Sequence, residues 1–222
     1  MISTRELSLL SDVDGLRRTL QSMAMLDAIL CPEWQFRYYS FNAAWAAGEQ
    51  TGSMRNGSGD DFFAHFSPAG CWLKGFAHEY PLSPYRDDGP KRIWPGVLDA
   101  VPEEFAPCLR EPAFSVEDVT FCIWRRYGDR VWQVGPVQFP PNHPDPDGSE
   151  FLLSPLDGRP EMYQAWAADY FGCEVELAAV RHIYGHKALT DEVIGRLNPE
   201  RPLAELAADI NEIGYPMEGS TA

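Results

Sequence analysis

A chain of 222 residues, 45% hydrophobic and 23% charged, has the make-up of a soluble globular protein. At that length folding buries roughly 70–75% of the unfolded surface, so neither a disulfide nor a metal is needed to hold a core. The net charge of −15 argues against nucleic acid and anionic membranes as partners. It favours a basic protein partner, although acidity also serves solubility alone.

The acidity is uneven, with 15 acids against 5 Lys or Arg from residue 142 onward. Aromatics reach 13%, and most of these large rings are expected in the core. The five cysteines, Cys31, Cys71, Cys108, Cys122 and Cys173, include no C-x-x-C pair, so no local zinc knuckle or redox pair is available. Free, buried thiols suit a reducing cytoplasm. The opening "MISTRELSLLSDVDG" lacks the basic start and apolar run of a secretory signal, and no stretch approaches the roughly 20 apolar residues of a membrane helix. The expectation is a cytoplasmic protein.

In chain order, Leu16, Leu20, Met23, Leu26 and Leu30 recur at three- and four-residue steps and predict a helix over 12–30, stopped by Cys31-Pro32. "WQFRYYSF" (34–41) reads as a strand with Trp34, Phe36 and Tyr38 on one face. A meander follows: "QTGSMR" as strand, "NGSGDD" as loop, "DFFAHF" as strand, "SPAG" as tight turn and "CWLKGFA" as strand. Residues 78–96, "HEYPLSPYRDDGPKRIWPG", form a long proline-rich loop of the kind that often carries function.

A short helix is expected over roughly 96–109, with Val97, Val101, Phe105 and Leu109 on one face and Pro102 as an alternative start. "VEDVTFCIWRR" and "RVWQVG", joined by "YGD", make the clearest hairpin. "FPPNHPDPDGSE" (139–150) reads as an exposed loop and "EFLLSPL" as a strand. The pattern then turns helical: a segment opened by Pro160 with Met162, Trp166, Tyr170 and Ala167 on one face, then "EVELAAVRHIY". Further helices are "EVIGRLN", capped by Thr190-Asp191, and "LAELAADINEI" after Pro202. The whole predicts a single α+β domain over 1–222: an antiparallel sheet of five to seven strands with an N-terminal helix over 1–158, and a helical C-terminal third over 159–222 packed on it.

Candidate chemistry is sparse. "MRNGSGDDFFAHF" (54–66) gathers Arg55, Asn56, Asp60 and Asp61 around two glycines. Its backbone N–H groups could meet an anion, or Asn56 and Asp60 could simply bond their own backbone in a polar hairpin loop. Adjacent Asp60 and Asp61 point to opposite faces if they open a strand, which makes a poor acid–base pair. His78 and Glu79 stand at a strand end beside the long loop, as an acid–base element, half of a metal site or an ordinary exposed pair. Arg55, Asn56, Asp60, Asp61, His78 and Glu79 are therefore the candidate binding residues.

His182 and His186 in "RHIYGH" stand at i, i+4 on one helical face, the zincin spacing, but Ile183 takes the place of the glutamate that such a site needs as general base. "DPDGSE" fails the order of a calcium loop at both ends. No nucleotide loop, nucleophile elbow or kinase set appears. No catalytic residue, metal or cofactor is indicated.

The string "MRNGSGDDFFAHF", "GFAHE", "SPY", "WPGVLDAVPEEF", "EPAFSVEDVTFCIWRR" resembles a family of uncharacterised bacterial proteins over residues 38 to about 170, and it brings no activity with it. "VPEEFAPCL" (101–109) is similar to the Leu-Pro-x-x-Tyr/Phe helix start of the SUKH family, α+β proteins many of which are immunity factors against bacterial toxins. There the helix usually leads the domain and Asn-Gly follows; here it lies mid-chain and runs into "REPAF". A helix opened by a proline reads the same residues without kinship. The resemblance implies an immunity-like role through protein contact. The alternative is a small-molecule-binding protein or hydrolase-type enzyme with its site near the NGSGDD and GFAHE segments.

Overall fold

The computed structural model describes residues 1–216. An N-terminal helix, a six-stranded antiparallel sheet in chain order and a helical C-terminal part make the fold α+β, as expected. No helix among the described residues is long and apolar enough to cross a membrane.

Helix α1 spans Val13–Leu30, and its Leu16, Leu20, Met23 and Leu26 are all buried. The expected strand over 34–41 starts late. Trp34–Phe36 is a single 3-10 turn with both end rings exposed, and β1 runs Tyr39–Ala46. Arg37 is the reason. Its guanidinium donates to the carbonyls of Cys31 and Pro32 and pairs with Asp209 at 2.6 Å, which curls the chain.

Strand β2 (Glu49–Arg55) leads to β3 (Asp61–Ser67) and β4 (Gly70–Phe76). β3 and β4 pair antiparallel with Ser67 opposite Gly70 and His65 opposite Trp72, so His65 and His78 lie far apart in register. The helix expected over 96–109 breaks into 3-10 turns at Glu103–Phe105, Cys108–Arg110 and Pro112–Phe114. Pro102, Pro107 and Pro112 each lack the N–H that a continuing helix needs. The expected hairpin forms from β5 (Phe121–Arg126) and β6 (Gln133–Val134), with Ile123 opposite Val134 and a second strand of only two residues.

"EFLLSPL" is not a strand. It folds as α2 (Ser149–Leu153) and a 3-10 turn (Ser154–Leu156), burying Leu152, Leu153 and Leu156. The end of the preceding loop is buried rather than exposed: the Asp145 carboxylate accepts the N–H groups of Glu150 and Phe151, each at 3.1 Å, satisfying donors that a helix start leaves open.

The C-terminal helices are α3 (Pro160–Phe171), α4 (Leu177–Tyr184), α5 (Asp191–Leu197) and α6 (Ala207–Ile213). Thr190 caps α5 as expected, its hydroxyl accepting from the Val193 N–H. On α3 the buried residues are Tyr163 and Ala167, while Met162 and Tyr170 are exposed, so the inward face is turned by one residue from the expected one.

The chain divides into two compact units, each built from two stretches: 1–13 with 53–157, and 14–52 with the chain from Gly158 onward. In the first unit Trp72, Phe105, Phe114, Val119 and Trp124 form the centre of an apolar core that also takes the thiols of Cys108 and Cys122. Lys74 is wholly buried there. Its ammonium meets Asp61 at 2.7 Å and the Asp118 carbonyl at 2.9 Å, with the Phe63 ring 5.3 Å away. Gly75 stands opposite Phe121, and a Cβ on it would lie 2.2 Å from that ring. In the second unit Asp27 has no exposed surface. It accepts the N–H groups of Tyr38 and Tyr39 at 2.8 Å and the Tyr163 hydroxyl at 2.6 Å. Burial pushes its carboxyl up to about 7, against the pull of those donors. All five cysteines are free.

Candidate functional site

The glycine-broken loop after β2 closes on itself. The Asn56 side-chain oxygen accepts the N–H groups of Ser58 and Asp60, and its amide donates to the Asp60 carboxylate at 2.6 Å. The other Asp60 oxygen accepts the His78 N–H at 2.7 Å. Asn56, Asp60 and the His78 backbone are thus brought together by turn chemistry. Asp61 points elsewhere, to Lys74, and burial raises its carboxyl above the usual range while the Lys74 charge opposes the shift. The His78 ring packs on Phe76 and Tyr85, and Arg55 and Glu79 are exposed.

His182 and His186 do not share a helical face. α4 ends at Tyr184 before Gly185, and His186 has a φ of 50°. The His182 ring donates to the Ala188 carbonyl at 2.8 Å and the His186 ring to that of Arg18 at 2.9 Å. Among the described residues no three His, Cys, Asp or Glu side chains are grouped as a metal would require.

A cavity in the first unit has the size and lining of a binding site. A groove of about 610 Å³ is walled by Trp94, Pro95, Pro136, Phe139 and Pro140. It exists because two loops touch backbone to backbone. Gly96 has a φ of 91°, and a Cβ on it would lie 2.7 Å from the Pro136 carbonyl oxygen. A Cβ on Gly135 would lie 1.9 Å from the Gly96 carbonyl oxygen. Only glycines allow that approach. The Trp94 indole N–H then ties the loops together by donating to the Gln138 carbonyl at 3.0 Å.

Arg86 fixes the remaining wall. It donates to the carbonyls of Ser83 and Arg92 at 3.0 and 2.8 Å, and its guanidinium carbon lies 5.1 Å from the centre of the Trp94 ring. Its hydrogen-bonding capacity is therefore partly committed to holding the loop. Asp99 and Gln138 also line the groove, and neither side chain has a partner among the described residues. An open carboxylate on an apolar floor accepts a cation or a hydrogen-bond donor.

The long loop 78–96 supplies Arg86, Trp94, Pro95 and Gly96 to this groove. Its partner loop was not legible in the sequence, because nothing local ties Gln138 and Phe139 to Trp94. The available signal was the pair "WPG" and "VGP", two glycines each flanked by proline. Comparison of the chain with protein-family models, with curated proteins and with solved structures finds no match.

Proposed function

We propose that this protein is a cytoplasmic, non-enzymatic binding protein that takes an extended, basic segment of a protein partner in the Trp94–Phe139 groove. The observation that carries the reading is the unpartnered Asp99 carboxylate among two aromatic rings and three prolines in a groove of about 610 Å³. Aromatic-lined grooves suit extended peptides. The charge of −15 favours a basic partner by steering. Neutralisation of a basic toxin is the role that the SUKH resemblance would add, and the same charge disfavours nucleic acid and anionic membranes as partners. A reducing compartment suits the buried thiols of Cys71, Cys108 and Cys122.

Selection from a library of random twelve-residue peptides displayed on phage tests this. The expected winners carry Lys or Arg beside proline or apolar residues, bind more weakly as salt rises, and lose binding to Trp94→Ala and Asp99→Lys. Winners that bind both variants as well as the wild type, or that show no basic bias, would overturn the reading.

A further inference from the structure

A second pocket, of about 300 Å³, lies in the first unit, between the start of the chain and the β5–β6 hairpin. Arg5, Arg125 and Arg130 line it, and so do Leu7, Leu10, Val131, Trp132 and Val134; no carboxylate does. In a chain with 33 acids against 18 Lys or Arg, three arginines converging without an acid is a local reversal of the molecule's charge.

The nearby acids are occupied elsewhere. Glu6 accepts the N–H and hydroxyl of Ser8, and Asp129 accepts the Arg126 N–H at 3.0 Å. Arg130 has no hydrogen-bond or ion-pair partner among the described residues. Arg125 gives only its Nε, to the Asp129 carbonyl at 3.3 Å, whereas Arg5 is engaged by the neighbouring loop, one terminal nitrogen donating to the Pro144 carbonyl and its guanidinium carbon lying 5.7 Å from the centre of the Phe139 ring. Most of the guanidinium donors are therefore unspent. The Thr4 hydroxyl, also on the rim, donates to Asp147 at 2.5 Å, so recognition falls to the arginines.

Beneath them the floor is apolar and fixed. Trp132 is 5% exposed, and its indole N–H is held by the Ser11 carbonyl at 2.7 Å. Val131 and Val134 stay open, at 60% and 37% exposure. The unpartnered Arg130 and the largely uncommitted Arg125 beside an apolar lining match one ligand shape: an anionic head on a compact apolar body.

We propose that this pocket binds a small amphiphilic anion, a phosphate or carboxylate carried on an aromatic or branched-alkyl group. Guanidinium forks bind both heads in bidentate fashion, and the floor of Trp132, Leu7 and Leu10 would take the body. The ligand is opposite in charge to the one proposed for the groove, and the Arg125 and Arg130 variants test this site without touching that groove's lining.

Titrations of the full chain with phenyl phosphate, phenylacetate, inorganic phosphate and benzyl alcohol, followed by tryptophan fluorescence and calorimetry, test it. One or both aromatic anions should bind saturably, and benzyl alcohol and inorganic phosphate at least about tenfold more weakly, since one charged hydrogen bond contributes that much or more. Which head binds better decides between phosphate and carboxylate sources. Arg130→Glu, an exposed change that breaks no contact, should abolish binding, and Arg125→Gln should weaken it about tenfold or more. Trp132→Phe should remove the fluorescence change but leave the calorimetric one. No saturable binding of either aromatic anion overturns the proposal. So does binding that Arg130→Glu leaves intact, or benzyl alcohol binding as well as the anions.

Discussion

Asp27 shows what one residue can set. Its carboxyl is wholly buried, and its folded value of about 7 stands above the ordinary 3.8. A raised value means that the folded chain holds a proton the unfolded chain releases. The associated stability is complete below 3.8 and is lost as pH climbs to about 7, the reverse of a salt-bridged aspartate. In Asp27→Asn the amide oxygen can still accept from Tyr38 and Tyr39, and the amide nitrogen can donate to the Tyr163 oxygen. Urea unfolding from pH 5 to 7 should therefore show the wild type losing about 1 kcal/mol per pH unit relative to Asp27→Asn, with no further divergence above pH 8. Parallel curves for the two proteins would refute this account of Asp27.

Among the elements, β4 shows the tightest fit. All seven of its residues are buried, including Lys74, and Gly75 lies under the Phe121 ring of the neighbouring strand. Gly75→Ala should cost about 3 kcal/mol, the upper range for overpacking, and because Phe121→Ala removes the ring that the new methyl would meet, the double variant should lose less than the two single losses added together. Thermal melts of the two single variants and the double variant check both, and losses that simply add would refute the packing account. Elements governed by local chemistry could be read from the sequence: α1 from its leucine spacing, the β3–β4 turn from "SPAG", the α5 cap from Thr190. Elements governed by distant partners could not. The turn at Trp34–Phe36 depends on Arg37 reaching Asp209, 172 residues away. "EFLLSPL" has the composition of a strand, but its buried residues 152, 153 and 156 are spaced as on a helix, and Asp145 opens that helix. In the candidate loop the self-bonding of Asn56 and Asp60 was foreseeable from turn chemistry, whereas the pairing of Asp61 with Lys74 needs the strand register.

For the whole molecule, the thiols report how tightly the interior is closed. Cys71, Cys108 and Cys122 are buried, Cys31 is partly covered and Cys173 is exposed. Burial also pushes the Cys71 and Cys122 thiols far above their ordinary value, which removes the reactive thiolate. Ellman's reagent should label Cys173 at once, Cys31 slowly, and the other three only when the chain unfolds; rapid labelling of all five would mean an open interior. The start of the chain is likewise enclosed. The Ile2 N–H donates to Ser154, and Thr4 is held by Asp147 and Ser149. These partners are made about 150 positions later, and synthesis at 5–20 residues per second imposes a delay of roughly 10 to 30 s. A nascent chain must therefore carry residues 2–4 undocked until residues 147–154 have been made. Chaperone occupancy during that interval should be decided by how fast the ribosome reaches the "DPDGSE" codons.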